Sequence, residues 1–399
     1  MEREELQETV QEDLETRVRE GIKALLEQIL EEEMTEHLGA PRYRRSPTRK
    51  GQRNGGYERD LVTGVGTLRQ LRVPRDREGT FQTELFERYR RLTGSVEEAV
   101  LEMYLQGVST RKVAAVTEAL SGKRVGKDAV SRITARLEEQ VQAWQERKLE
   151  GAYPYLYLDA TYLKANWGGR VVSVALLVAV GVNDQGYREL LAVEAAPEEQ
   201  ALAWQGLLRG LLDRGLRGVK LVISDDHEGI KAAVATELPG VAWQRCVVHF
   251  ERNVLAHVPE QVKEEVAADL RAVFAVRRRE TAEALAQQFS TRWRAAFPGA
   301  VEVFEQGITE ALTHLDFPSA HHRRIRTTNG LERLFQEIKR RTRVVGVFPS
   351  ERSLVVLTTV VGLRVSEEWA LRRYLERELL EVQEQIARGV SQFTQLSRR

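Results

Sequence analysis

The chain has 399 residues, 42% hydrophobic and 30% charged, which predicts a globular protein of about two to four domains rather than a disordered one. A formal net charge of +1 carries no overall basic signature, so any binding of nucleic acid must depend on local patches. A single cysteine, Cys246, excludes an internal disulfide framework and fits a reducing cytoplasm, and the longest apolar run, Val171 to Val182, is too short to span a membrane.

Residues 1–40 are expected to form one helical segment. Apolar residues recur there at helical spacing with Glu and Arg between them. They are Val18, Ile22, Leu25, Leu26, Ile29 and Leu30. Such a stripe can pack against the rest of its own domain or against a second copy of the chain, and the sequence leaves both alternatives open.

A basic segment, Pro41 to Gly56, follows. It holds six basic residues and no acid, and its Gly and Pro content argues against a regular element. A basic arm of this kind can follow DNA phosphates or enter a minor groove, although a solvated loop is the alternative. Because Tyr43 lies among the basic residues and no acid does, we favour DNA contact. The predicted contact residues are Arg44, Arg45, Arg49, Lys50 and Arg53.

Two further patterns complete the N-terminal part of the chain. Tyr57 to Phe81 alternates as a β-hairpin does, so residues 41–90 are interpreted as the basic arm with a small hairpin. Three helices are then predicted, Glu97–Leu105, Ser109–Leu120 and Lys127–Lys148, with a glycine-containing link before the third. This order makes residues 91–150 a helix-turn-helix candidate, with Lys127 and Arg132 facing DNA. A helical bundle that never contacts DNA would show the same spacing.

Residues 151–250 combine apolar strands with carboxylates. A buried strand, Tyr155 to Leu158, is predicted to end at Asp159, and a second, Val219 to Ser224, runs directly into Asp225 and Asp226. The other predicted elements are strands 170–182, 187–193 and 243–249 and helices 197–210 and 228–238, with a turn at Asn183–Gly186. The order β-β-β-α-β-α-β is that of a ribonuclease-H-like fold, an α/β class.

The C-terminal part is predicted to be helical. Residues 251–325 are interpreted as an all-helical insertion, and residues 326–399 as a return to the catalytic core followed by C-terminal helices. Leu331, Leu334, Phe335 and Ile338 form the apolar stripe of the helix that opens this last part. Glu332 and Glu337 flank that stripe on opposite sides, so periodicity does not choose between them.

Three acids on two strands and one helix suit a pair of divalent ions. Mg²⁺ prefers oxygen ligands and is bound by one or two carboxylates beside waters. Two such ions activate the attacking oxygen and stabilise the leaving oxygen of an in-line displacement at phosphorus. We therefore predict metal-dependent phosphoryl transfer on DNA by Asp159, by Asp225 or Asp226, and by an acid of the later helix.

Four motifs resemble those of the bacterial Mutator-type insertion-sequence transposases, and the resemblance extends over essentially the whole chain. They are Asp159-Ala-Thr-Tyr162, Ser224-Asp-Asp-His-Glu-Gly-Ile230, Gln244 to Asn253 and Thr327 to Arg333. The resemblance implies a DDE transposase of the retroviral-integrase superfamily that binds terminal inverted repeats through its N-terminal part. It also implies Asp159, Asp225 and Glu332 as the catalytic acids and metal ligands for two Mg²⁺ ions, for which Mn²⁺ can substitute. Asp226 departs from the pattern, since a glycine usually follows the second acid there.

The same resemblance includes Cys246-x-x-His249. A zinc site needs four ligands, which the lone cysteine does not favour, so His249 is predicted to lie near the active site, with a core histidine at a strand end as the alternative. Basic residues surround the helix that carries Glu332 and suit a DNA channel. Those predicted to contact DNA are Arg324, Arg333, Arg340 and Arg341.

The expected function is therefore that of a cytoplasmic, nucleoid-associated bacterial transposase acting on double-stranded DNA, both element ends and target. The resemblance implies a homodimer assembled on two ends and a circular intermediate, and no membrane is involved. Two other functions fit the same residues: a structure-specific nuclease that hydrolyses without joining, and a DNA-binding regulator whose acids are structural.

Overall fold

The computed structural model of the chain describes residues 2–44, 47, 49–83, 85, 94–105, 108, 110–121, 127–343 and 345–376. Two compact units are present, residues 1–136 and residues 137–399. This boundary falls inside the third helix of the helix-turn-helix candidate rather than after residue 150. The finer division into six segments stays a prediction.

The first unit combines one long helix, a hairpin and shorter helices. Its elements are α1 (Glu2–Leu38), β1 (Arg53–Thr63), β2 (Gly66–Asp76), α2 (Gly94–Leu105), α3 (Thr110–Ser121) and the start of α4 (Lys127–Glu146). β1 and β2 pair antiparallel, as predicted. Leu30 of α1 packs on Leu61, Leu71 and Val73 of this hairpin. The predicted recognition helix is thus helical, whereas its link to α3, residues 122–126, lies outside the described residues.

Burial on α1 increases towards its C-terminal end. Of the predicted stripe only Leu30 is fully buried, and Met34 and Leu38 beyond it are buried too, whereas Val18 and Leu25 are 43% and 56% exposed. Packing within the chain therefore accounts for the end of the stripe, and dimerisation through the rest stays a prediction.

The second unit is built on a mixed sheet. Its strands are β3 (Tyr155–Trp167), β4 (Arg170–Val182), β5 (Arg188–Ala196), β6 (Leu221–Ser224) and β7 (Ala242–Arg245). The sheet order is β5-β4-β3-β6-β7. β3, β4 and β5 are antiparallel neighbours, whereas β3, β6 and β7 run parallel. Parallel strands need helical crossovers, which α5 (Ala201–Asp213) and α6 (Glu228–Glu237) supply.

The two faces of this sheet are covered by different helices. Leu156 and Leu158 of β3 share a buried core with Trp204 and Leu207 of α5. Because successive strand side chains alternate, Tyr155, Tyr157 and Asp159 lie on the opposite face. That face is covered by α12 (Asn329–Thr342) and α13 (Glu351–Ala370).

A helical region separates β7 from α12. It comprises α7 (Val247–Leu255), α8 (Lys263–Ala275), α9 (Arg279–Trp293), α10 (Pro298–Ala311) and the short α11 (His322–Ile325). Phe250, Phe274, Phe289 and Phe304 belong to a buried core of its own. The prediction of an all-helical stretch before Glu332 is confirmed.

Four local predictions were wrong. Asp159 lies inside β3 rather than at its end, because β3 and β4 pair along their whole length. Residues 197–200 link β5 to α5 and are not helical, since β5 keeps its pairing with β4 as far as Ala196. Predicted strand 243–249 breaks at Cys246, where burial of Val247, Phe250 and Val254 at helical spacing favours α7. The C-terminal tail was predicted to remain helical, but α13 ends at Ala370 and residues 371–376 are not helical, while residues 377–399 lie outside the described residues.

None of the helices in the described part of the chain is long and apolar enough to cross a membrane.

Candidate active site

Asp159 and Asp225 lie on neighbouring parallel strands. The register of β3 and β6 pairs Tyr155 with Leu221 and Tyr157 with Ile223. Two residues further along, the same register brings Asp159 beside Asp225, just beyond the C-terminal end of β6. Because the step is two residues, both side chains keep the face of Tyr157 and Ile223.

Both carboxylates are held in a poorly solvated position. Asp159 is 7% exposed. The pKa of Asp159 is raised to about 7, mainly by burial and in addition by the nearby Asp225, while His249 opposes the rise. The pKa of Asp225 is also raised, first by burial, with His249 and His227 acting against it. Ionising two carboxyl groups this close together costs free energy, because their charges repel, unless a cation lies between or beside them.

His249 faces this pair from the first turn of α7. The neighbouring Cys246 is the largest cause of a raised pKa at His249, and Asp159 and Asp225 add to it, whereas burial opposes it. The imidazole therefore favours its cationic form beside the two acids. His249 lies on a helix, so the alternative of a histidine at a strand end was wrong.

Glu332 reaches the same place from α12. Its Oε1 lies 3.8 Å from Nε2 of His249 and 3.2 Å from Nη1 of Arg252. His249 and Arg252 are three residues apart on α7 and so lie on one face of that helix. Glu332 is the side chain that this face contacts, and His249 is common to Glu332 and to the two strand acids.

Backbone and thiol contacts hold α7 and α12 in this relation. The amide of Cys246 donates to the carbonyl of Ser224, and the amide of Val247 donates to the carbonyl of Arg326. The amide and hydroxyl of Thr328 both donate to Sγ of Cys246, each at 3.4 Å. Thr328 is the N-cap residue of α12, but its side chain bonds Cys246 and does not cap the helix. The buried thiol joins the end of β6, the start of α7 and the start of α12.

Asp226 has different surroundings from Asp225. Its carboxylate lies 2.8 Å from Nη2 of Arg245 and 2.6 Å from Nζ of Lys231. Arg245 is 5% exposed and is fitted against α10 at Gly307, where a Cβ atom would come within 2.3 Å of its guanidinium. Asp226 therefore neutralises a buried arginine.

Glu337 is also engaged elsewhere. Arg340 binds both of its carboxylate oxygens, and Arg341 donates to Oε1 at 2.7 Å. Hydrogen bonding from Arg340 is the largest cause of the fall in the pKa of Glu337 to about 2, and Arg341 contributes as well. The tertiary structure thus separates the two glutamates that periodicity left equivalent.

Carboxylate oxygens that have no hydrogen-bond partner indicate whether these acids could bind a divalent cation. Oδ1 of Asp225 is buried and has no hydrogen-bond partner in the described structure. An orphaned buried carboxylate oxygen beside a second buried carboxylate fits a hard cation. Among the described residues, however, no three His, Cys, Asp or Glu side chains converge as a ready ligand set. Asp159 and Asp225 fit such an ion as they stand, and Glu332 would have to leave Arg252 to join them.

The structure adds two residues that sequence reasoning missed. Glu199 follows β5, accepts hydrogen bonds from Tyr162 and Trp204, and acts electrostatically on Asp159. Burial is the largest cause of its raised pKa. Arg252 could have been found from the sequence, since its spacing of three from His249 places both on one helical face. Glu199 carries no comparable signal, because its proximity depends on the path of the chain between β5 and α5.

The predicted DNA-contact residues have varied surroundings. Arg53 lies in β1 and pairs with Glu31 at 2.6 Å, so Arg53 to Gly56 belong to a strand and not to an irregular arm. Arg49 bonds the carbonyls of Arg44 and Gly51. Arg44, Lys50, Arg324 and Arg333 are exposed, whereas Arg340 and Arg341 bind Glu337. Arg45 lies outside the described residues, and Lys127 and Arg132 lie on α4. DNA contact by each of them stays a prediction.

Comparison with known proteins gives a consistent result. The family described as "Transposase, Mutator family" matches residues 1–371. The chain is 42% identical over 371 residues to the transposase for insertion sequence element ISRM5 of Rhizobium meliloti, covering 93% of each chain. It is 41% identical over 353 residues to the transposase for IS406 of Burkholderia multivorans, covering 88% of this chain and 90% of the relative. It is 36% identical over 361 residues to the transposase for IS256 in transposon Tn4001 of Staphylococcus aureus, covering 89% and 92%.

Proposed function

The chain belongs to the Mutator family of transposases, and from this premise we propose that it binds the terminal inverted repeats of an insertion sequence and catalyses Mg²⁺-dependent DNA cleavage and strand transfer. The observation that carries the proposal is that His249 lies between two sets of acids, with Asp159 and Asp225 on one side and Glu332 on the other. The strand order is β5-β4-β3-β6-β7, and β4 lies between β3 and β5 and is antiparallel to both. This arrangement supports a ribonuclease-H-like core for this site.

Asp159 and Asp225 would hold the divalent ions, and Glu332 would complete the ligand set. When bound, Mg²⁺ would supply activation of the attacking oxygen and stabilisation of the leaving oxygen, and Mn²⁺ would substitute. The same ions would relieve the repulsion that raises the pKa of Asp159. Asp226 and Glu337 would take no part, since Arg245 and Arg340 already bind them.

His249 and Arg252 would orient the substrate phosphate. A cationic imidazole beside the acids can donate to a non-bridging phosphate oxygen. Arg252 is 60% exposed and shares Glu332 with His249. A DNA phosphate that binds Arg252 would compete with Glu332 for its guanidinium and so release the third acid towards Asp159 and Asp225. Assembly of the ligand set would then depend on bound DNA.

The first unit would recognise the element ends. Helices α2 to α4 carry the helix-turn-helix proposal, and the basic residues between α1 and β1 would neutralise nearby phosphates. Cleavage and joining of two ends in one complex would require two active sites, which supports a homodimer.

The experiment is an assay on labelled duplexes that contain the element's terminal sequence, with Mg²⁺ and with Mn²⁺. Cleaved and joined products are expected from the wild-type protein and neither from Asp159→Ala, which should still bind the same duplex. Hydrolysis without joining would indicate a nuclease. Binding without either product would indicate a regulator.

A further inference from the structure

Three arginines converge at the N-terminal end of α12. The guanidinium of Arg188, at the start of β5, is repelled by the positive charges of Arg324 and Arg333. Its Nη1 lies so close to α12 that a Cβ atom on Gly330 would be 3.0 Å from it. Gly330 thus allows the approach, and we call Arg188, Arg324 and Arg333 the arginine cluster.

Aromatic rings fix the geometry of the arginine cluster. Arg188 lies 4.5 Å from the ring centroid of Trp369 and 4.3 Å from that of Tyr374. Arg324 lies 4.9 Å from the ring centroid of Tyr374 as well. Stacking restricts a guanidinium while leaving its N–H donors free in the ring plane. Arg188 and Arg324 are therefore held in place before any ligand arrives, whereas Arg333 is exposed.

No carboxylate in the described part of the chain forms an ion pair with the arginine cluster. Burial is the largest cause of the lowered pKa of Arg188; Tyr374 and Tyr157 oppose the fall, and two arginines add to it. Among the described residues near the start of α12, Glu332 pairs with His249 and Arg252. Glu337 pairs with Arg340 and Arg341, so neither acid pairs with the arginine cluster. Nε of Arg188 is buried without a hydrogen-bond partner. Three like charges held together with an unused donor are complementary to an anion.

The cluster lies on the face of the sheet that carries the proposed catalytic acids. The hydroxyl of Tyr157 donates to the carbonyl of Arg324 at 3.2 Å. Tyr157 and Asp159 share one face of β3, about 7 Å apart along the strand. Arg333 follows Glu332 directly in α12. The register places Arg188 level with Tyr155, so an anion in the arginine cluster would lie on the same face of the sheet as the proposed catalytic acids.

We propose that Arg188, Arg324 and Arg333 form a clamp for one backbone phosphate of a DNA strand, on the face of the sheet where the reacting phosphate would bind. The proposal rests on the proposed function for the identity of the strand. It adds a residue, Arg188, that no motif indicates, and it assigns three guanidiniums to a single phosphate. Planar arginines grip phosphate oxygens through paired donors, which positions a strand without reading its sequence.

The test is the salt dependence of DNA binding by the full chain. The probe is a fluorescein-labelled duplex with the element's terminal sequence, titrated without divalent metal so that no strand is cut. Each phosphate contact on duplex DNA contributes about 0.9 to the slope of log affinity against log salt. The variant Arg188→Gln/Arg324→Gln/Arg333→Gln should therefore lose about 0.9, whereas three separate phosphate contacts would lose about 2.7.

A matched control removes three arginines that already have acidic partners: Arg209→Gln/Arg292→Gln/Arg294→Gln. Its slope should equal that of the wild type, although its net charge equals that of the cluster variant. An unchanged slope for the cluster variant, a loss of about 2.7, or an equal loss in the control would overturn the clamp. If the cluster variant does not fold, Arg324→Gln/Arg333→Gln replaces it. A loss of up to about 0.9 is then expected, and no loss or a loss of about 1.8 would overturn the clamp.

Cleavage assays on the same preparations separate this proposal from the proposed function. If the wild-type protein neither cuts nor joins DNA, the proposed transposase chemistry is refuted. If the cluster variant still loses one phosphate contact, the clamp is retained. A wild-type protein that does both, with an unchanged slope in the cluster variant, would refute the clamp alone.

Discussion

The adjacent acids Asp225 and Asp226 should fail in different ways when each is changed to Asn. Asp225 has an oxygen without a hydrogen-bond partner beside Asp159. Removing a residue that only contacts a metal ligand lowers activity by up to about 100-fold, so the loss of a ligand in Asp225→Asn should lower cleavage by more than that. That factor corresponds to at least about 2.7 kcal/mol of lost transition-state stabilisation. Its free energy of unfolding should not fall, because the substitution removes a repulsive charge next to Asp159.

Asp226→Asn should instead act on stability. The carboxylate lies 2.8 Å from Nη2 of Arg245, whose side chain is only 7% exposed. Removing one partner of a fully buried pair costs about 3–5 kcal/mol, and the Asn oxygen keeps one hydrogen bond to Arg245, so we expect a loss of about 2–3 kcal/mol in the free energy of unfolding. Well below its unfolding midpoint, the variant should keep activity within about tenfold of the wild type, because Asp226 touches no reacting group.

Urea denaturation and single-turnover cleavage of a labelled end, in Mg²⁺ and in Mn²⁺, measure the two effects separately. The reasoning would be refuted by a folded, stable Asp226→Asn protein that does not cleave, together with an active Asp225→Asn protein. The second metal ligand would then lie one position further along the chain.

The remaining predictions concern α12, the first unit and its stability. Glu332→Gln should abolish cleavage in the same assay, whereas Glu337→Gln should retain part of it; the opposite result would exchange their roles. Residues 1–150 should bind terminal DNA in preference to random DNA and cut neither, with an affinity that falls steeply with salt; equal affinities in a gel-shift titration would contradict this. Although burial opposes it, hydrogen bonds from Thr80 and Phe81 lower the pKa of Asp76 to about 2, so Asp76→Asn should cost about 2 kcal/mol of unfolding free energy at neutral pH. Because that pKa is below the ordinary 3.8, the difference from the wild type should hold above about pH 4 and vanish as the pH falls towards 2, and an undiminished difference at pH 2 would contradict the assignment.

Local patterns were sufficient where one short segment decides the outcome. Continuous apolar runs identified β4 and β6, and alternating apolar residues identified the hairpin of β1 and β2. The helical stripe of Leu331, Leu334 and Ile338 identified the buried side of α12. The turn at Asn183 formed as predicted because its own side chain accepts from the amides of Gln185 and Tyr187. Periodicity failed at Cys246, since a few apolar residues fit a strand or a helix equally well.

Choices between neighbouring acids depended on distant parts of the chain. Asp225 and Asp226 are alike in sequence, and what distinguishes them is the register of β6 against β3 and a buried arginine at the end of β7. Glu332 and Glu337 flank one stripe equally, and α7 supplies the partners that distinguish Glu332. Arg188 shows no local sign of a role, because the residues that surround it come from α12, α13 and the segment after α13. The sequence by itself determined which residue types and elements are present, whereas electrostatic environment depends on packing between remote segments and was decided only by the tertiary structure.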